Sequence, residues 1–449
     1  MRRFLFGFLI LVQFSVFAQQ PEKKLKVSPD VHFRMFWMNT AYPNEEYKED
    51  YALGSSLNLG AKLYYDKNWE FRVGYRVFGN LWSSDLLAPD PISRGNNRYE
   101  VGLFDLLNEE DRFFGKLENL SVGYSTSTWG VTVGRMPIES DWINAQDGRL
   151  SPTGVEGGNV WLSTANKWKF SAWGISKMSV RGTSEWLLVG ESIGVFPVGR
   201  NPDGEASQYA GKTESDWIGI LEAKKAWEHI DLSVSNTIVQ NISNTLWIQG
   251  NRKWTHESTG VVWLWGIQTG FQSGLGNGGN GNQLFRYKNP KDKNWVVSTR
   301  VGFNNSAWNL HLNYSKVGGK GLWLSPREWG KDAWFTFIPR ERNEGFGSLD
   351  ALTAFAEYSI PNSSIKPFFH FGFHWLPALD SPSENKYNMP SYRQINLGVK
   401  YSPAVISKLD FQLLLMNKEA LVNQDLKPTQ EYNKVRMIHI NAIVNWRWN

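Results

Sequence analysis

Cations at alternating positions are the residues of this chain best suited to act on a solute. Arg34, Lys62, Arg72, Arg76, Arg300, Lys400 and Arg447, with Lys169 and Lys224, recur in segments where every second residue is apolar. Asp30, Glu222 and Glu357 stand among them. Fixed cations along a water-filled passage lower the barrier for anions and offer a carboxylate successive shallow partners. Solvated or paired wall charges without selectivity would use the same residues.

Other chemistries find less support. His370 and His374 would share a metal ion on a helix, but in a strand four residues span ~13 Å, too far for one ion. The remaining histidines, serines and aspartates are scattered, and no GxSxG-like turn sets a nucleophile beside a base. The run Gly274 to Gly281 lacks the Lys-Ser/Thr and βα context of a phosphate cradle and reads as a flexible loop. Basic residues form no stripe of the kind that nucleic-acid binding requires. The residues therefore imply no catalysis, no cofactor, no bound metal and no nucleic-acid partner.

The elements that position the cations follow from composition. Residues 1–18 carry Arg2 and Arg3, an apolar run from Phe4 to Phe17 and the small-residue site Val16-Phe17-Ala18, the pattern of a cleaved signal peptide. Its removal leaves 46 basic against 43 acidic residues, a net charge of +3. No cysteine occurs, so no disulfide staples the exported chain. Twenty-three Trp, 26 Phe and 16 Tyr accompany a mean hydropathy of only −0.41. Strands with one apolar face turned to lipid explain that combination. In hydrocarbon such strands persist only in a closed barrel.

Period-two alternation yields eighteen strands over residues 19–449, with 16 or 20 left open by one merged or missed pair. The first sets Val31, Phe33, Met35 and Trp37 against Asp30, His32, Arg34 and Phe36. The last sets Ile438, Ile440, Ala442, Val444, Trp446 and Trp448 against His439, Asn441, Asn445 and Arg447, and should close onto the first. Links after even-numbered strands are short and links after odd-numbered ones mostly long, the parity of periplasmic turns and outer loops. The fifth outer link, near Asn241 to Ser243, is the short exception. Trp69, Trp129, Trp168, Trp227, Trp254 and Trp308 fall beside short turns, as a membrane-interface girdle would.

Gly134-Arg135, then Asn144 to Pro152 (NAQDGRLSP), then Glu156-Gly157-Gly158 resembles the third-loop signature of the OprD-type outer-membrane porins. Trp329 to Thr336 (WGKDAWFT), followed by Arg340 and Arg342, is similar to that family's seventh-loop region. The resemblance implies an all-β fold: a transmembrane antiparallel β-barrel, eighteen-stranded and monomeric, whose third and seventh outer loops fold inward as a constriction. It also implies that Asp147 and Arg149 sit in one inward loop, with Arg327, Arg340 and Arg342 in or near the other. Strict alternation from Val131 and Val133 turns Arg135 outward, unless a bulge intervenes or the strand ends at Gly134.

The expected function is passive diffusion of small hydrophilic, carboxylate-bearing solutes across the outer membrane of a Gram-negative bacterium. Outer-membrane lipid, lipopolysaccharide and the barrel-assembly machinery are the expected partners. An exporter or conduit for an anionic polysaccharide, and a closed structural or adhesive barrel, are the alternatives.

Overall fold

The computed structural model describes residues 25–108, 110–146, 149–196, 199–421 and 425–448. The expected signal peptide, residues 1–18, and Asp147 lie outside the described residues. In chain order the strands are β1 (Leu25–Ala41), β2 (Asp50–Tyr65), β3 (Trp69–Ser83), β4 (Phe113–Ser125), β5 (Trp129–Pro137), β6 (Gly154–Ser163), β7 (Trp168–Ser179) and the two-residue β8 (Leu187–Leu188). They continue as β9 (Ile218–Ala226), β10 (Ile230–Val239), β11 (Ser243–His256), β12 (Val261–Gly274), β13 (Lys293–Asn304) and β14 (Trp308–Lys320). The last are β15 (Leu349–Tyr358), β16 (Ile365–Trp375), β17 (Tyr392–Tyr401), β18 (Leu409–Ala420) and β19 (Met437–Trp448).

Neighbouring strands pair antiparallel, and β19 closes onto β1 from Val31 opposite Trp448 to Ala41 opposite Ile438. The short β8 only prolongs the wall beside β7 where β9 ends, with Leu187 opposite Met178 and Leu188 opposite Lys177. Eighteen strands thus form the closed wall, the number that alternation predicts. Closure leaves the wall no free sheet edge along its paired length, the condition for strands to stand in lipid.

Alternation decides which way each residue faces. Leu59, Val73, Val133, Leu221, Ile267, Leu312 and Leu413 are exposed on the outer surface, while Arg34, Ser56, Asn58, Arg76 and Asn313 are buried inside. Each outward Leu or Val would forgo roughly 1.5–3 kcal/mol of burial in water. A continuous belt of them fits lipid and not water. Trp69, Trp129, Trp227, Trp254 and Trp308 are exposed near the short turns, and Trp168 packs edge-on to Trp227 at 6.1 Å. Asp66 and Asn362 in those turns take φ of 56° and 55°, left-handed values that Asp and Asn tolerate and tight hairpins require.

The long connections supply most of the interior. Trp142 from the β5–β6 loop meets Trp247 of β11 edge-on at 5.0 Å and Trp323 of the β14–β15 loop at 5.4 Å. Ile143 packs with Ile175, Ile218 and Trp329, and Leu150 with Phe36 and Phe104.

Candidate functional site

Four loops bring their residues to one small cavity of about 80 Å³. The β5–β6 loop contributes Gln146 and Arg149, and the β14–β15 loop contributes Arg327, Phe337, Arg340, Glu341 and Arg342. Arg98 and Tyr99 come from the β3–β4 loop, Arg181 and Phe196 from the β7–β9 loop. Among the described residues, six arginines therefore surround a space lined by a single carboxylate.

Hydrogen bonds to side chains of the inner wall fix both main loops. Ser56 Oγ donates to the Leu150 carbonyl at 2.8 Å. Gln268 donates to the Ala333 carbonyl at 2.8 Å and accepts from the Phe335 amide at 3.0 Å. Gln272 does the same with Leu324, at 2.8 and 2.9 Å. Each wall glutamine thus pairs with loop backbone as a neighbouring strand would, satisfying groups that burial otherwise leaves orphaned. The two loops also bind each other: Asn144 donates to the Lys331 carbonyl at 3.1 Å and accepts from the Lys331 amide at 3.0 Å. Gly330 permits this approach, for with φ at 145° a Cβ there would lie 2.5 Å from Asn144 Oδ1.

The arginines divide by their partners. Arg342 donates to Asp332 through Nε at 2.8 Å and Nη2 at 2.7 Å, and these carboxylate contacts outweigh burial and raise its pKa. Arg327 bonds Glu344 at 2.8 Å and Glu341 at 3.4 Å and lies 4.2 Å from the Tyr387 ring centre. Despite burial, its pKa is pushed well above the ordinary value by Tyr387, Glu341 and Glu344. Glu341 holds Arg98 at 3.1 Å and Lys418 at 2.6 Å as well. Burial opposes its charge, yet Arg98, Lys418 and Arg327 keep its carboxyl well below the usual range.

Arg149, Arg340 and Arg181 behave oppositely. Burial, with only partial relief from Glu100 and Tyr99, pushes Arg149 down to about 10. Burial and the charges of Arg149 and Arg34 push Arg340 down to about 9. Arg181 is lowered well below the ordinary value by burial, Arg149 and Arg342. These cations are crowded by like charge, a state that an entering anion relieves.

Of the residues the resemblance implies for the constriction, Arg149, Arg327, Arg340 and Arg342 meet at the cavity, while Asp147 lies outside the described residues. The wall cations share the inner face. Lys62 stands 3.8 Å from Asp30, Arg76 donates to Glu118 at 2.8 Å, and Arg300 donates to Asn313 at 2.6 Å. Lys400 bonds Glu357 at 2.7 Å, Arg447 lies 4.0 Å from Asp410, and Arg72 pairs with Glu70. His370 and His374 also face inward, the first 4.7 Å from the Phe355 ring, the second stacked on Tyr392 at 4.6 Å. Among the described residues no three metal-ligating groups gather.

Arg135 resolves outward. The β5 ladder continues through it, opposite Leu120 on one side and Glu156 on the other, and it bonds Glu156 at 2.7 Å. Sequence reasoning did not single out Arg98, Arg181, Tyr99, Phe196, Phe337 and Glu341. They belong to loop stretches without periodicity, and only the neighbouring Arg340 and Arg342 hinted at Glu341.

No family model matches the chain, and no curated protein does. Solved structures do. Pseudomonas aeruginosa OccK9 (OpdG) superposes with a TM-score of 0.72 at 12% identity, over 94% of this chain and 98% of that one. Acinetobacter baumannii OccAB2 gives 0.73 at 12% identity, with 94% and 98% covered. P. aeruginosa OpdK with vanillate gives 0.69 at 12%, again with 94% and 98% covered. The closed eighteen-stranded fold expected from the resemblance to OprD-type porins is the fold this chain has.

Proposed function

We propose that the protein is an outer-membrane porin that passes small hydrophilic, carboxylate-bearing solutes by diffusion, exported through a cleaved signal peptide at 1–18 and inserted as a monomer by barrel-assembly machinery. The β5–β6 and β14–β15 loops, third and seventh on the outer side, form its constriction. The observation that carries this reading is the cavity lined, among the described residues, by six arginines and one carboxylate. Arg149 and Arg340 receive the anion, while Arg327 and Arg342, each tied to carboxylates, hold the loop that presents them. Arg34, Arg76, Arg72, Lys62, Arg300, Lys400 and Arg447 continue the favourable field along the wall. The similarity to OpdK, crystallised with the carboxylate vanillate, supports the same solute class.

The cavity is small, about 80 Å³, so the loops must yield as a whole solute passes. The reading assigns no bond-making step and no cofactor. Its test is reconstitution in a planar bilayer under a salt gradient. Discrete conductance with anion preference is expected, reduced when Arg149, Arg340 and Arg342 are replaced by glutamine. A protein that never conducts would favour the closed structural barrel.

A further inference from the structure

The outer surface of β5, β6, β7 and β9 carries charges that the passage does not use. Arg135, Glu156 and Lys177 face outward side by side, with Glu156 opposite Arg135 on β5 and Lys177 on β7. Glu156 accepts from Arg135 Nε at 2.7 Å and lies 3.8 Å from Lys177 Nζ, so one carboxylate serves two cations. Arg135 stands six residues beyond Trp129. On β3 the positions six and eight residues beyond Trp69 are Tyr75 and Val77, both exposed and apolar. The charged trio therefore interrupts the lipid-facing belt on this flank alone of the two.

Trp186 fixes the trio's outer side. Its ring centre lies 4.9 Å from the Arg135 guanidinium, and its indole N–H donates to the Leu117 carbonyl at 3.1 Å. That carbonyl is available because the β4–β5 ladder ends at Leu120 opposite Arg135. Toward the short turns the same face sinks into an apolar concavity of about 430 Å³, lined by Val160, Leu162, Phe170, Ala172, Leu221 and Val234. Gly158, Gly174 and Gly219 stand opposite one another between the concavity and the charges. A Cβ on Gly174 would meet nothing within 4 Å, so the row is open at its centre, while the Trp217 ring, 3.2 Å from a Cβ on Gly219, bounds it on the β9 side. From Ala172 to Lys177 the trough runs about 15 Å.

We propose that this flank binds one bisphosphorylated glycolipid of the outer leaflet, a phosphate resting on Arg135 and Lys177 and an acyl chain lying in the trough. The charge sum of +1 over Arg135, Lys177 and Glu156 matches an anionic head group, and the apolar trough matches the chain beneath it. The trio lies at the strand ends that carry the long loops, which places the site in the outer leaflet. The inference rests on the proposed outer-membrane location and is independent of what the passage conducts.

Native mass spectrometry of the full protein, incubated separately with lipid A and with phosphatidylglycerol, tests it. One lipid A is expected to stay bound, and Arg135→Gln with Lys177→Gln should weaken retention at least tenfold. Gly174→Leu, which fills the trough where the structure leaves space, should weaken it without touching a charge. Heat-modifiable gel mobility checks that each variant is a folded barrel. No retained lipid, equal retention by the folded variants, or phosphatidylglycerol held as tightly as lipid A would each overturn the proposal. Bilayer conductance of the same variants should match the parent. Loss of conductance in the parent itself would defeat the porin reading and leave the lipid result standing.

Discussion

The guanidinium of Arg340 lies 5.3 Å from the centre of the Phe36 ring, so a cation of the β14–β15 loop rests on a wall residue of β1. Arg34 approaches the same ring at 5.7 Å. Loop and wall charges thus meet through one aromatic side chain, and their mutual repulsion adds to the burial that depresses Arg340. Under the proposed function, such a residue would serve the passage at a cost to the fold.

Arg340→Gln should therefore separate function from stability. Loss of one cation about 4 Å from a passing anion removes on the order of 1 kcal/mol in water. Relative anion permeability, read from reversal potentials, should fall roughly fivefold. Thermal unfolding in detergent should move upward or stay unchanged. A clear drop in unfolding temperature would mean that the guanidinium is a net structural contact.

Glu341 predicts the reverse balance. Its carboxylate is shared by Arg98, Arg327 and Lys418, and its neutralisation leaves three cations around a buried amide. Glu341→Gln should destabilise the loop by about 3 kcal/mol while raising anion preference. Because its carboxyl is held well below the ordinary 4.5, its contribution is present at neutral pH and is lost only as pH falls through that depressed value. Protease cleavage of the β14–β15 loop, faster in the variant at pH 7 than in the parent, is the check.

The wall was legible in the sequence because alternation is a local signal: Leu57 and Leu59 against Ser56 and Asn58 already state which face meets lipid. The loop anchors were partly legible, since Trp142, Ile143 and Leu150 are too apolar for a free outer loop and each packs against the interior. The cavity was legible only where loop residues resembled a known signature, as at Arg149 and Arg340. Arg98 and Arg181 reach it by long-range closure between loops, which no spacing encodes. Arg135 was undecided on sequence because a bulge, or a strand ending at Gly134, would reverse the outward direction that alternation gives it. The unbroken ladders on both sides, which set it opposite the exposed Leu120, turn it outward.

Glu100 predicts a pH response of the proposed passage. It accepts from Thr40 at 2.6 Å and Asn97 at 2.8 Å and faces His439 at 3.6 Å, fully buried. Burial raises its carboxyl from 4.5 to about 7, against the pull of those hydrogen bonds. The folded acid is thus neutral below about 7, and the fold loses stability as pH rises from 4.5 toward 7 while the unfolded chain ionises first. Above 7 the new charge opposes Arg149, so anion preference should fall between pH 6 and 8. Lys434, pushed down to about 7 mainly by burial, loses its own charge in the same window. Reversal potentials across that range should flatten in Glu100→Gln to the share left by Lys434; an unchanged profile would remove Glu100 from the account.

Trp142 packs the β5–β6 loop against Trp247 of the wall and Trp323 and Trp334 of the β14–β15 loop, and its replacement tests whether the proposed constriction needs that contact. The indole contacts Trp247, Trp323 and Trp334 with ring centres 5.0, 5.4 and 6.5 Å away. Trp142→Ala should cost about 3–5 kcal/mol, most of it local, because the strands around it keep their ladders. The β5–β6 loop then loses its hold while Asn144 still binds Lys331. Single-channel conductance should rise and anion preference should drop, since Arg149 no longer stands at a fixed distance from Arg340. Trp142→Phe, which keeps an aromatic edge against Trp247, should recover most of the selectivity. Equal conductance in all three proteins would show that the loop is held by its hydrogen bonds alone.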